Sequence, residues 1–372
     1  MLKVLIPIII GAALGIAISQ FNLLNNLPFS FADSNRWLTL AAIPVSLILG
    51  IIIHEFGHLV FGLTSGYRFS SFRVGPFVWF REDSKIRFSF SKSIFAGQCL
   101  MAPVHDFRTF KYVIYNLGGV ILNLVLTAAF FVLFLLAPDN PGLSAWEGAF
   151  LVSAILNLLL ALQNLIPIRP LTNDGANVVE AMKSIDATRG LFMMFHVNNM
   201  MMQGVRYRDM DEKLFEVNKN PDHSNYLVAY MFILKAARLD DQGQHDKALE
   251  LYNNIELAKL PTIYRYLIKT NIMFHHTVYN PNHSAAKELY QDKGLQDFLK
   301  SDIGACICVS AAYTFFVEGE KDKGLKILAR GKKVLEKTPN KGERMLNLEM
   351  LEKIEAQIQG EEKGEDSDDT SD

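Results

Sequence analysis

Long apolar runs occupy much of the first 166 residues of the chain and do not recur in the remainder. Four of these runs approach the roughly 20 apolar residues that an α-helix needs to cross a bilayer. They are residues 4–21, 37–63, 112–137 and 147–166. The pattern predicts a polytopic α-helical membrane protein with about four transmembrane helices, followed by an all-α soluble domain.

The first run allows two interpretations. Lys3 provides a short basic start and Ala17-Ile18-Ser19 resembles a signal-peptidase site, so residues 1–20 are either a retained span or a cleaved signal peptide. If the span is retained, residues 1–36 form an N-terminal transmembrane helix and an external loop. The later spans are the same in both cases.

Lysine and arginine are distributed unevenly among the connections. Eight of them lie between the second and third spans, and none lies in residues 138–146. Because basic residues favour the cytoplasmic side, we expect the basic connection and both termini to be cytoplasmic. The compact four-span arrangement fits a multi-pass protein of a bacterial plasma membrane.

The basic connection also carries a β pattern. Apolar and polar residues alternate from Tyr67, from Phe77 and from Ile86, with turn residues between these stretches. A small membrane-associated β-hairpin or three-stranded sheet is therefore predicted within the cytoplasmic loop 65–100. It is either a packed connector or a surface that pairs with an extended substrate strand.

The second half contains an internal repeat. Similar segments end at Tyr252, Tyr290 and Leu328, so the period is 38 residues. A turn followed by an amphipathic helix at a fixed period predicts stacked helical hairpins over residues 222–358, similar to tetratricopeptide repeats. Such a domain either holds a cytoplasmic protein or peptide, or is a helical domain without a ligand.

Two further segments flank the repeats. Residues 186–221 are predicted to be an amphipathic connector, whose apolar run 191–202 lies at the membrane interface or packs under the repeats. Residues 359–372 are strongly acidic and are predicted to be a disordered tail.

Composition excludes several classes of protein. The formal charge is −2, from 37 basic and 39 acidic residues, which gives no electrostatic reason to expect nucleic acid. Three cysteines are too few for a disulfide framework and argue against an oxidising compartment for the soluble part. A membrane protein with a soluble domain remains.

The second span contains His54-Glu55-Phe56-Gly57-His58. Positions i and i+4 share one helix face, so both imidazoles can reach one Zn²⁺ while Glu55 acts as the general base. A charge in the middle of a bilayer costs at least about 2.5 kcal/mol, so three ionisable groups in an apolar span indicate function. The alternative is a buried hydrogen-bond cluster.

A catalytic zinc needs a third protein ligand and one open position. Asp174 is the best-placed carboxylate, because Pro167 and Pro170 end the last span and free the chain to turn back. Taken alone, Asn173-Asp174-Gly175 is only a good turn before a helix.

These residues together resemble the site-2 protease family of intramembrane zinc metalloproteases, over residues 37–180. His54-Glu55-x-x-His58 is similar to its zinc motif, the segment from Asn116 to Asn123 to its middle-helix element, and Asn164-x-x-Pro167 with Asp174-Gly175 to its third core helix. The family places the aspartate eight residues after the asparagine. Here the gap is ten, and Thr172-Asn173 looks like an insertion.

The resemblance implies particular roles. His54, His58 and Asp174 would be the zinc ligands, Glu55 the catalytic residue, and Asn164 and Asn123 substrate-binding residues. The 37–185 segment would be the metalloprotease core, cutting a single-span membrane protein or membrane-bound peptide in regulated intramembrane proteolysis. The alternative is a membrane-anchored adaptor with a degenerate protease core, for which the insertion before Asp174 is the only support.

Overall fold

The computed structural model describes residues 34–83, 85–90, 97–104, 106–168, 172–217 and 221–368, with side chains as far as residue 360. The chain divides into two units, residues 1–81 with 85–179 and residues 82–84 with 180–372. The predicted first span, residues 4–21, lies outside the described residues. Each unit is described below by those of its residues that the structure describes.

Three long helices form the first unit. They are α1 (Arg36–Thr64), α2 (Tyr112–Leu136) and α3 (Glu147–Leu165). Within the described ranges, these three are long and apolar enough to cross a membrane as single helices. Their ends agree with the predicted spans 37–63, 112–137 and 147–166 to within one residue, because continuous apolar length is a direct signal of such helices. A short 3₁₀ turn, Ser144–Trp146, precedes α3.

Small residues allow these helices to pack closely. A Cβ atom added at Gly57 of α1 would overlap the backbone carbonyl of Gly118 in α2, and one added at Gly118 would lie 2.6 Å from the carbonyl oxygen of Gly57. The two backbones therefore touch, as in other close helix crossings in membranes. A buried hydrogen bond of 2.6 Å between the hydroxyls of Ser46 and Ser153 joins α1 to α3.

A four-stranded sheet lies between α1 and α2 in the sequence. Its strands are β1 (Tyr67–Val74), β2 (Phe77–Glu82), β3 (Lys85–Phe90) and β4 (Gly97–Pro103), in the spatial order β3-β2-β1-β4. Strand β1 pairs antiparallel with β2 and with β4, and its register to β4 shifts between Phe69 and Ser71. The expectation of at most three strands was wrong. Strand β4 is largely buried and reads as a short apolar segment, so it lacks the alternation that identifies a strand with one solvated face.

The remaining elements are helical. They are α4 (Asp174–Met182), α5 (Ile185–Met202), α6 (Tyr226–Asp241), α7 (His245–Asn253), α8 (Thr262–Phe274), α9 (His283–Tyr290), α10 (Lys293–Leu299), α11 (Gly304–Ala312), α12 (Lys321–Leu335) and α13 (Lys341–Asp368). Short 3₁₀ turns occur at Tyr207–Asp209, Glu212–Phe215 and Leu257–Lys259. Helices α10 and Gly304–Val317 together have the hydropathy of a span, but they meet at 110°.

The helices of the second unit follow the 38-residue spacing. Helices α7, α9 and α12 begin at His245, His283 and Lys321, and the helices before them end at 241, 279 and 317. Both α8 and α11 end in a π-helical turn, His275–Tyr279 and Tyr313–Val317, at equivalent positions. The similarity to tetratricopeptide repeats remains a prediction.

The predictions for the two segments that flank the repeats, residues 186–221 and 359–372, compare differently with the structure. In α5, Leu191 and Met193 are fully buried in the second unit, so the apolar run 191–202 packs in the protein interior. The predicted disordered tail was wrong for residues 359–368, because helix α13 continues to Asp368. Five of these ten residues are glutamate, lysine or glutamine, which favour a helix, and the helix before them is anchored by packing. Residues 369–372 lie outside the described part.

Helix α13 contacts several parts of the second unit. Leu351, Ile354 and Ile358 are buried along one face, and the backbone carbonyl of Asn347 accepts a hydrogen bond from Cys308 of α11. Glu349 forms an ion pair with Arg206, which precedes α6. Arg206 also pairs with the buried Asp241. The helix therefore connects the beginning of the repeat region to its last hairpin.

The contact between α1 and α2 gives a test of the packing in the first unit. Gly57→Ala is expected to lower the free energy of unfolding of the detergent-solubilised protein by about 1–3 kcal/mol, because the added methyl group overlaps the Gly118 carbonyl. Gly142→Ala is the matched control, since a Cβ atom there meets only Asn140 Oδ1, at 3.4 Å. Equal thermal stability of the two variants would contradict the close crossing.

Candidate metal centre

Helix α1 supplies three buried ionisable residues to one place. His54, Glu55 and His58 lie in the second half of the helix and are 8%, 8% and 7% exposed. The four-residue spacing brings the two imidazoles onto one face, with their ring centroids 4.8 Å apart.

Tyr115 fixes the orientation of His58. The Nδ1 atom of His58 lies 2.8 Å from the backbone carbonyl oxygen of Tyr115, and because a carbonyl only accepts, Nδ1–H donates. In the neutral imidazole, the lone pair of Nε2 then points into the site. A histidine that binds a metal through one ring nitrogen usually donates the N–H of its other ring nitrogen to a carbonyl or a carboxylate, as His58 does here.

Gly119 makes room for His54. A Cβ atom at this position of α2 would lie 2.6 Å from the His54 ring, so a side chain there would displace the imidazole. The Nε2 atom of His54 lies 3.2 Å from Nε2 of His58. Both nitrogens therefore face the same point.

Asp174 completes the group from the first position of α4. Its Oδ2 atom is 3.0 Å from His54 Nε2 and 3.4 Å from His58 Nε2. The loop that is two residues longer than in the resembling family therefore does not keep Asp174 away from the histidines. Among the described residues, His54, His58 and Asp174 are the group of three whose ligand atoms meet in this way.

The three ligand atoms fit a zinc ion. With Zn–N and Zn–O bonds of about 2.0–2.1 Å and tetrahedral angles, neighbouring ligand atoms lie about 3.3 Å apart. The observed separations are 3.0, 3.2 and 3.4 Å. Nε2 of His58 also faces a carboxylate oxygen at 3.4 Å, and two acceptor atoms this close repel each other unless a proton or a cation lies between them.

The charge on Asp174 supports the same interpretation. Burial raises the pKa of Asp174, but the neighbouring imidazoles, through their charge when protonated and their hydrogen bonds, outweigh burial and hold the pKa below the ordinary aspartate value. The carboxylate is therefore ionised at neutral pH and available as an anionic ligand.

Glu55 lies next to the start of strand β4. A Cβ atom at Gly97 would lie 2.5 Å from Glu55 Oε1, so glycine is needed for the strand to pass the carboxylate. Tyr115 anchors this strand, because its hydroxyl donates a 2.8 Å hydrogen bond to the carbonyl of Cys99. One residue thus holds both His58, through its backbone, and β4, through its side chain.

The two predicted substrate-binding asparagines make hydrogen bonds within the helix bundle. Asn123 is fully buried, and its Nδ2 donates to the Gly50 carbonyl at 3.3 Å and to Asn157 Oδ1 at 3.4 Å, so it joins α2 to α1 and α3. Asn164 is half-buried near the end of α3, where its Nδ2 donates to the carbonyl of Leu160. Their roles toward a substrate stay predictions.

Sequence reasoning missed one residue of this site. Asn173 is buried immediately before Asp174 and makes three hydrogen bonds that join α3 to α4. Its signal was present in the sequence, since asparagine is a preferred residue just before the first turn of a helix.

A helix-borne pair of histidines with an adjacent glutamate and a third, anionic ligand is the arrangement of a metalloprotease. This arrangement, together with the three apolar helices, indicates that the protein is a membrane metalloprotease.

Comparison with known proteins supports this class. Residues 42–143 match the family model for peptidase family M50, the site-2 protease family, which confirms the family resemblance of this part of the chain. The match contains both histidines and Glu55 but ends before Asp174, which is assigned by its distances alone. No curated protein and no solved structure matches the chain.

The metal assignment can be measured directly. We expect the purified protein to carry one zinc per chain, and His54→Ala, His58→Ala and Asp174→Ala each to lose it, because each removes one of three ligands. His283→Ala, which changes an exposed histidine of α9, is the control and should keep the metal. Elemental analysis that finds equal zinc in all four variants would refute the site.

Proposed function

We propose that the protein is an intramembrane zinc metalloendopeptidase of the site-2 type, which hydrolyses peptide bonds within or near transmembrane segments of other membrane proteins. The observation that carries this proposal is the convergence of His54, His58 and Asp174 beside Glu55 inside a bundle of apolar helices. The family match over residues 42–143 supports it independently.

The residues of the chain have separate tasks in this reaction. His54, His58 and Asp174 would hold the zinc ion. The ion would supply Lewis-acid chemistry at this point, for the scissile carbonyl and for the attacking water. Glu55 takes the proton of the attacking water and delivers it to the leaving amine. The apolar surroundings of the site strengthen these electrostatic interactions.

The substrate proposed is a single-span membrane protein or a membrane-bound peptide, cut in regulated intramembrane proteolysis. Asn164 and Asn123 are proposed to help hold it, as the family resemblance implies. We propose a multi-pass arrangement in a bacterial plasma membrane, with both termini on the cytoplasmic side. The eight basic residues between α1 and α2 support this orientation.

The 38-residue helical hairpins are proposed to receive a cytoplasmic protein or peptide that delivers or regulates the substrate. The start of α7, α9 and α12 at 38-residue intervals supports this proposal. The domain limits proposed are 37–185 for the protease core, 186–221 for the connector and 222–358 for the repeats.

The adaptor alternative loses its support. In the sequence, it rested on the longer segment before Asp174. That segment leaves Asp174 Oδ2 3.0 Å from His54 Nε2, which counts against a degenerate ligand group.

The decisive experiment compares cells that carry the wild-type protein, Glu55→Gln or Glu256→Gln. Glu55→Gln is expected to keep its zinc but to reduce cleavage by about 10²–10⁴-fold, because the amide cannot accept the proton of water. Glu256 is exposed in the second unit, so Glu256→Gln should cleave as the wild type does. Mass spectrometry of membrane-associated peptides and cleaved single-span proteins would identify fragments that vanish only with Glu55→Gln. Unchanged fragments in all three strains would contradict the proposal.

A further inference from the structure

The connection between α3 and α4 has to place Asp174 accurately although it is longer than in the resembling family. Helix α3 ends at Leu165 and α4 begins at Asp174. A longer connection costs more entropy to hold in one conformation. A zinc ligand, in contrast, has to stay within a few tenths of an ångström of its position.

Asn173 joins the two helix ends directly. Its Nδ2 donates to the backbone carbonyls of Gln163 and Ile166, at 2.6 Å each. The last carbonyls of a helix have no partner inside that helix, so these bonds cap the end of α3. Its Oδ1 accepts a 2.8 Å hydrogen bond from the N–H of Ala176 and caps the start of α4. The residue is only 6% exposed.

Close packing on the other side of Asp174 completes the arrangement. A Cβ atom at Gly175 would overlap the carbonyl of Leu165, so the first turn of α4 lies directly on the end of α3. One turn later, Asn177 Nδ2 lies 3.3 Å from Asn116 Oδ1 of α2. Asp174 is therefore held between two fixed neighbours, Asn173 and Gly175.

We propose that Asn173 is a positioning residue for the third metal ligand. Its side chain locks the end of α3 to the start of α4 and so sets the carboxylate of Asp174 against the two histidines despite the longer connection. The inference rests on the proposed function only because it requires that His54, His58 and Asp174 bind zinc.

Two substitutions of Asn173 distinguish its hydrogen bonds to the end of α3 from its hydrogen bond to the start of α4. Asn173→Ala removes all three hydrogen bonds. Asn173→Asp keeps an acceptor for the Ala176 N–H but replaces the donor by a carboxylate that faces two carbonyl oxygens. If locking to α3 positions Asp174, both variants should bind zinc about 10- to 100-fold more weakly than the wild type, the range typical of residues that orient metal ligands. Wild-type affinity in Asn173→Asp would show that capping α4 suffices and would overturn the proposal.

Thr172→Ala is the matched control, because it alters the same connection and leaves the three hydrogen bonds of Asn173 in place. Affinity is measured on the full-length protein in detergent by competition with a zinc chelator. The visible spectrum of the Co²⁺-substituted protein gives a second readout, which should change in both Asn173 variants and not in Thr172→Ala. If Asn173→Ala and Asn173→Asp lose thermal stability but keep the zinc affinity and the Co²⁺ spectrum of the wild type, Asn173 stabilises the fold and does not position Asp174.

The outcomes also separate this inference from the proposed function. If the wild-type protein binds no zinc, the proposed function itself fails. If the wild type binds zinc and Glu55→Gln abolishes cleavage, but both Asn173 variants keep wild-type affinity, then only the positioning role is wrong.

Discussion

In the first unit, charged and polar groups inside an apolar helix bundle need hydrogen-bond partners or a bound cation. Two imidazoles and a carboxylate meet with their acceptor atoms 3.0–3.4 Å apart, where water is scarce. Left alone, such groups are costly to bury, and a cation between them removes most of that cost. The hydrogen bond from His58 to Tyr115, the space beside Gly119 and the locked end of α3 all direct lone pairs toward one point. The rest of the unit keeps that point in place.

Close backbone contact is what gives the site its rigidity. Gly57 lies between the two histidines on the helix and touches Gly118, while Gly119 lies against the His54 ring. A helix pair separated by larger side chains would allow the imidazoles to move with each rotamer change. Here both histidines are on α1, whose backbone touches that of α2 beside the site, and this contact restricts their movement.

Much of this arrangement could be predicted from the sequence. The three helices followed from apolar length, and the histidine pair with Glu55 from helix periodicity. Asp174 was predicted from residue type and from its position after two prolines, although its spacing is unusual. Strand β4 was not predicted, because it is short and its residues do not alternate between polar and apolar. The role of Asn173 was also missed, since the two carbonyls that it binds become its neighbours only when α4 folds back onto α3.

Helix α13 gives the second unit contacts between residues that are far apart in the sequence. In an open array of hairpins, each repeat contacts only its neighbours, and the array can grow or fray one repeat at a time. The ion pair between Arg206 and Glu349 joins residues 143 positions apart, and Gln357 reaches back to the carbonyl of Val278. These contacts close the array on itself. The unit should therefore unfold as one cooperative body, and its folding has to wait for a long loop to close, which is slow compared with adding hairpins in succession.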